Sequence, residues 1–171
     1  IRTSVEGGEA SLDDEEYCAL VAALAPHVGG VDVEIRRDGS SALIEDAHAA
    51  DALVIGSFHD FEGTPSDDQL AEVLADMNYA GADVLKFACM AHSATDAARV
   101  LGAQAWAREA YDRPVIGIAM GPNGAPTRLV GSALGSAATF ATLPGAEGSA
   151  PGQFTIEQAR AVLDIVEGSE A

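Results

Sequence analysis

Helical and extended patterns alternate along all 171 residues without a linker or low-complexity break. That alternation predicts a parallel sheet built of βα units, either an open doubly wound sheet or part of a (β/α) barrel. His59, Lys86 and Arg128 each fall at or just after the C-terminal end of a successive predicted strand, where barrel active sites are assembled. A closed barrel takes about 250 residues and rarely fewer than about 200, so the chain is short by about two units.

The elements follow in order. Ile1 to Thr3 reads as a strand end. Ser11 to Leu24 reads as a helix, with Ser11 as N-cap, Asp14 three residues on, and Tyr17, Leu20, Val21 and Leu24 at i, i+3, i+4, i+7. Pro26 and Gly29-Gly30 stop it. Val31 to Ile35 alternates as a strand, Ser40 to His48 is a short helix, and Ala52 to Ser57 is an apolar strand leading into His59. Thr64 is the expected cap of the next helix, with Pro65 at its first position and Leu70, Val73, Leu74 and Met77 as its inward stripe. Ala82 to Met90 is a strand. Ser93 and Asp96 open a helix to about Tyr111, Pro114 to Met120 is another strand, and a helix follows near Thr127 to Ala133. A short strand is expected at Ala137 to Ala141. Thr155 and Gln158 then form a capping box for a last helix that turns Ala159, Val162, Leu163 and Val166 inward.

Composition narrows the function. Nine basic and 27 acidic side chains give a net charge of -18, which opposes binding to nucleic acid or anionic membrane. Eight of the nine basic residues are arginine. An acidic, lysine-poor chain suggests adaptation to high salt, where a short Debye length screens self-repulsion. Cys18 and Cys89 read as reduced, buried small hydrophobes rather than a disulfide framework. Neither a signal peptide nor a run of 18 apolar residues is present, so a cytoplasmic location is the default.

Lys86 is the only lysine, and it lies inside an apolar strand. Burial disfavours the ammonium form, so an amine nucleophile for a carbonyl is expected, walled by hydrocarbon. A strand-end lysine in an ordinary protein more often snorkels to water; the avoidance of lysine elsewhere weighs against that. His59 suits proton transfer near neutral pH, although a histidine bonded to backbone would look the same. Together the two suit imine chemistry: the imine draws electrons from the neighbouring carbon and the histidine removes its proton. From Arg2 to Glu9, Arg2 is a candidate carboxylate fork and Glu6 a candidate to orient His59, yet from spacing alone this reads as a solvated loop. Arg128, Ser149 and Gln153 are candidate binders of an anionic substrate on a glycine-rich flap, against the plain alternative of surface loop.

These motifs resemble the type I 3-dehydroquinate dehydratases, the Schiff-base enzymes of the shikimate pathway, over nearly the whole chain. The resemblance rests on Arg2-Thr-Ser-Val-Glu6-Gly-Gly, His59-Asp-Phe-Glu-Gly-Thr-Pro65, Lys86 in Lys-Phe-Ala-Cys-Met90, Gly135-Ser-Ala-Ala-Thr-Phe140 and Ser149-Ala-Pro-Gly-Gln153. It implies a (β/α)8 TIM barrel of which the chain covers about the last six βα units, as a single domain over 1–171 lacking its first two. It also implies that Lys86 forms an imine with 3-dehydroquinate, that His59 acts as base and then acid to give 3-dehydroshikimate, and that Glu6 orients His59. Arg128 would bind the substrate carboxylate, Arg2, Ser149 and Gln153 would complete the pocket, and Met120 would pack beside the imine. No metal or cofactor is implied, and homodimers are common in the family. The chain departs from the pattern at Phe58, before the histidine, and at Ala91-His92, where His92 reads as a loop residue. The rival readings are a class I Schiff-base aldolase and a non-catalytic barrel remnant that binds a small acid.

Overall fold

The computed structural model describes residues 3–146, 148 and 152–168. It contains the four parallel strands β1 (Gly30–Glu34), β2 (Leu53–Asp60), β3 (Val84–Met90) and β4 (Val115–Met120), hydrogen-bonded in that order. The helices are α1 (Asp14–Leu24), α2 (Ser40–Ala49), α3 (Asp67–Tyr79), α4 (Ala94–Ala110), the single turn α5 (Thr127–Val130) and α6 (Ile156–Val166). Every strand but the last is followed by a full helix, the pattern of a parallel α/β fold. The chain divides into two compact units, Ile1–His59 with Asp68–Phe87, and Asp60–Asp67 with Ala88–Ala171.

In the first unit one face of the strands packs on helices. Tyr17 and Val21 of α1, Leu43, Ile44 and Ala47 of α2, Val33 of β1 and Val54 of β2 form one buried cluster. The two-residue period then turns Asp32 and Glu34 of β1, Ser57 and His59 of β2 and Lys86 of β3 to the other face. The β1–β2 register sets Asp32 beside Ile55 and Glu34 beside Ser57. Gly56 lets α3 and the turn after it approach: a Cβ there would lie 2.7 Å from Ala82 Cβ and 3.3 Å from Met77 Cγ. Phe58, the residue before His59, is buried, with the Arg36 guanidinium carbon 4.3 Å from its ring centroid.

In the second unit α4 is opened by the Ser93–Asp96 capping box and α6 by the Thr155–Gln158 box, both as the spacing predicts. Other boundaries differ. The cap of α1 is Asp13, not Ser11, because Asp13 and Glu16 exchange reciprocal bonds of 2.8 and 3.1 Å between side chain and backbone; Leu20 and Leu24 stay partly exposed. Thr64 caps no helix: its hydroxyl donates to the Met90 carbonyl at 2.8 Å, and α3 starts at Asp67. The expected strand at Ala137 to Ala141 does not form; one bridge, Val115 to Ser136, lies just before it. Thr3 bridges Ala10, while Ile1 lies outside the described residues. Cys18 is half-buried and Cys89 buried, both as free thiols. Among the described residues no helix is long and apolar enough to cross a membrane.

Candidate active site

Strands β1, β2 and β3 carry the site on one face. Lys86 is only 6% exposed, and its Nζ lies 2.8 Å from Asp32 Oδ2, 3.1 Å from Ser57 Oγ and 3.3 Å from His59 Nε2. The hydrocarbon wall expected around this nitrogen is therefore confined to its stem; a carboxylate, a hydroxyl and an imidazole surround its tip. This follows from strand alternation, since the residues on either side of Lys86, Leu85 and Phe87, take the buried places.

His59 Nδ1 is 2.8 Å from Glu34 Oε2, and both side chains are nearly inaccessible. With Nδ1–H donated to that carboxylate, the Nε2 lone pair points toward Nζ. Burial pushes the Glu34 carboxyl above the usual range; the bond from His59 opposes that, while the charges of Glu6 and Asp32 add to it. Tyr17 fixes the strand bearing both carboxylates. Its hydroxyl accepts the Glu34 N–H at 3.1 Å and donates to the Asp32 carbonyl at 3.2 Å.

Glu6 is expected to orient His59; the carboxylate bonded to His59 Nδ1 is that of Glu34. Glu6, 2% exposed, binds Arg37 Nε through Oε1 at 2.7 Å and the Thr3 amide and hydroxyl through Oε2 at 2.8 and 2.5 Å. Burial alone would raise this carboxyl, but those bonds outweigh it and hold it at about 2. The reason is geometric: the capping box of Thr3 and Glu6 folds the glutamate back onto its own turn, against Arg37.

The other expected binders fall elsewhere. Arg128 is in the second unit, on α5 directly after the Pro122–Gly124 turn that ends β4. The Thr127 hydroxyl donates to the Gly124 carbonyl at 2.7 Å and accepts the Ala119 N–H at 3.3 Å, which ties this turn to β4. A Cβ at Gly124 would lie 2.2 Å from the Ala119 carbonyl oxygen, so only glycine fits there. Arg128 is 5% exposed, lines a cavity of about 180 Å³ with Thr127, Ser136, Thr139 and Leu163, and has its guanidinium pKa lowered by burial. Gln153 is half-buried ahead of α6, and Met120 is buried at the end of β4. His92 is in the turn after β3, its Nε2 2.7 Å from the Glu62 carbonyl oxygen. Arg2 and Ser149 lie outside the described residues. Among those residues, no group of three or more His, Cys, Asp or Glu side chains is arranged to hold a metal ion.

Asp32, Glu34, Ser57 and Arg37 were not singled out by the sequence. Their signal was present in β1: two carboxylates at i and i+2 in an otherwise apolar strand must share a face. The geometry supports a carboxylate–imidazole–amine relay, able to add an amine to a carbonyl and then move a proton on the adjacent carbon.

Comparison with known proteins agrees with this chemistry. The model of the family Type I 3-dehydroquinase matches residues 1–170. The 3-dehydroquinate dehydratase of Klebsiella pneumoniae is 41% identical over 170 residues, covering 96% of this chain and 67% of that protein. The enzyme of the same name from Listeria welshimeri is 39% identical over 169 residues, covering 96% and 66%. Among solved structures, the 3-dehydroquinate dehydratase of Geobacillus kaustophilus superposes with a TM-score of 0.91 at 34% identity, over 100% of this chain and 67% of that one. The type I 3-dehydroquinate dehydratase of Clostridium difficile, solved with covalently modified comenic acid, gives 0.90 at 32% identity, over 99% and 68%. The chain thus spans about two thirds of the length of the relatives it matches.

Proposed function

Since the chain belongs to the type I 3-dehydroquinase family, we propose that it is a hydro-lyase acting on 3-dehydroquinate through an imine on Lys86. The observation that carries the reading is the 3.3 Å approach of Lys86 Nζ to His59 Nε2, with Glu34 behind the imidazole. The amine adds to the ring ketone, and loss of water gives the imine. His59 Nε2 removes a proton from the adjacent carbon, and the electron pair moves toward the imine nitrogen. The imidazolium then gives its proton to the departing hydroxyl, water leaves, and hydrolysis releases 3-dehydroshikimate and the free amine. Glu34 holds the tautomer that leaves Nε2 as acceptor and balances the imidazolium that forms, as the buried acid of a catalytic triad does. Asp32 and Ser57 hold Nζ at the sheet face.

Arg128 is assigned to the substrate carboxylate, with Arg2, Ser149 and Gln153 completing the pocket. The support is the match of these positions to the family pattern. The same reading places the protein in the cytoplasm, as a homodimer with the chain as part of one (β/α)8 barrel domain, in aromatic amino acid biosynthesis. The charge of -18 with a single lysine supports adaptation to high salt. The test is absorbance of the conjugated product after 3-dehydroquinate is added to the full chain. Turnover by the wild type and none by Lys86→Met is expected; cleavage of a sugar phosphate in place of dehydration would overturn the assignment.

A further inference from the structure

Resting on the reading of Lys86 as the imine-forming amine, we propose that Asp32 is a second catalytic residue. Its carboxylate moves the proton that imine formation requires and then holds the imine nitrogen protonated, so that His59 serves the proton on carbon. Asp32 Oδ2 lies 2.8 Å from Nζ, closer than Ser57 Oγ at 3.1 Å or His59 Nε2 at 3.3 Å. Of these three groups an ionised carboxylate is the one that accepts only and carries a charge opposite to that of an ammonium. Among the described residues the Asp32 carboxylate accepts from Nζ and from no other donor, whereas that of Glu34, two residues on, is taken up by His59 Nδ1. Strand β1 thus provides one carboxylate for each of the two reactive side chains. Tyr17 fixes the backbone of both, through the Asp32 carbonyl at 3.2 Å and the Glu34 amide at 3.1 Å.

An ammonium must lose a proton before its lone pair can attack a ketone, and the carbinolamine that results must gain one before its hydroxyl can leave as water. A proton taken from Nζ by Asp32 Oδ2 and returned to that hydroxyl meets both needs. Between these steps the adduct moves a second proton from nitrogen to oxygen. The net change is ammonium plus ketone to iminium plus water, with Asp32 ionised at the start and at the end, so no proton enters or leaves the site. The iminium nitrogen, bound to Cε and to the former ketone carbon, has one N–H left, and the nearest anion accepts it. That proton decides the next step. A protonated nitrogen takes up the electron pair from the adjacent carbon and becomes a neutral enamine, whereas an unprotonated one would become an anion. The Lys86 side chain is 7% exposed and that of Asp32 25%, and a buried positive nitrogen without a counter-charge is costly. The groups facing it are Asp32 from β1 and Ser57 and His59 from β2, with Glu34 behind the imidazole.

The experiment follows adduct formation with 3-dehydroquinate in the full chain, by borohydride quenching at set times and intact-protein mass, for wild type, Asp32→Asn and His59→Gln. Asp32→Asn keeps the shape of the side chain but neither its charge nor its proton acceptor. Its trapping rate and kcat are expected to fall together by about 10²-fold, with KM within about 3-fold. His59→Gln should show the other pattern, with turnover lost and the adduct still formed. A second readout uses the wild type alone and decides the matter even where Asp32→Asn does not fold. The Raman C=N band of the adduct formed with 3-dehydroshikimate should move to lower wavenumber in D2O, as a protonated nitrogen requires. A wild-type trapping rate in Asp32→Asn, or a band that does not move, would overturn the assignment of Asp32 while the imine on Lys86 stands. A wild type that forms no adduct would overturn the dehydratase reading, and the assignment with it.

Discussion

Two buried cations in the first unit, Lys86 and Arg37, differ little in exposure, 6% and 7%, and very much in situation. Arg37 has a guanidinium that does not deprotonate, and each of its nitrogens is bound to a carboxylate, hydroxyl or carbonyl, all within the same loop and helix start. Lys86 reaches groups from two neighbouring strands, and one of them is a nitrogen able to accept a proton. Burial alone therefore does not distinguish the two cations. What separates the two is whether the partners saturate the charge or leave a reactive atom beside a proton acceptor.

The comparison can be broken most sharply by making the first cation resemble the second. Lys86→Arg keeps a positive charge at the sheet face but has no nucleophile, and turnover of 3-dehydroquinate is expected to fall at least ~10³-fold. Measured by steady-state kinetics, a loss below about 10-fold would mean that charge, not the amine, matters. His59→Gln removes the proton acceptor and should cost ~10²- to 10⁴-fold in kcat. Borohydride should still trap ligand on its Lys86, because the amine is untouched. Glu34→Gln keeps the shape of the partner but not its charge; kcat is expected to fall ~10- to 100-fold with little change in KM.

On the side of Arg37 the expected effect is on stability. Glu6 has an ordinary carboxyl pKa of 4.5 and is held at about 2 in the fold. A depressed acid of this kind contributes stability that is fully present above about 4.5 and lost as pH falls toward 2. Its contribution is about 3 kcal/mol at neutral pH. Urea unfolding of Glu6→Gln against wild type should show a deficit of that order at pH 7 that shrinks between pH 4.5 and 2. The smallest effect is expected where a cation is merely near an acid on the surface. Arg99 Nε is 3.2 Å from Asp67 Oδ1, but Asp67 is 85% exposed, and Asp67→Asn should change unfolding free energy by less than about 0.5 kcal/mol.

The pairing of Lys86 with His59 was legible because its residue types are rare in their settings. One lysine in 171 residues, inside an apolar strand, and a histidine at the end of the strand before it stand out without any structure. Their supporting carboxylates did not stand out, because 27 acids make each one uninformative. Asp32 and Glu34 acquire meaning only from the register that sets Glu34 beside Ser57, a relation between strands that periodicity within one strand does not contain. The surroundings of Glu6 were hidden for a related reason. Its motif marks a turn, but the turn's own capping box, and an arginine 31 residues away, decide where the carboxylate goes. Helix starts failed where two cap residues compete: Ser11 and Asp13 both precede acids, and Asp13 wins because Glu16 can reach back to its amide.

The solitary lysine makes the central claim easy to test. Incubation of the chain with 3-dehydroquinate and borohydride, followed by mass spectrometry of the intact protein and its peptides, should give one reduced adduct, on the peptide carrying Lys86. An unmodified Lys86 peptide after conditions in which substrate is consumed, or an adduct on the terminal amine alone, would contradict it.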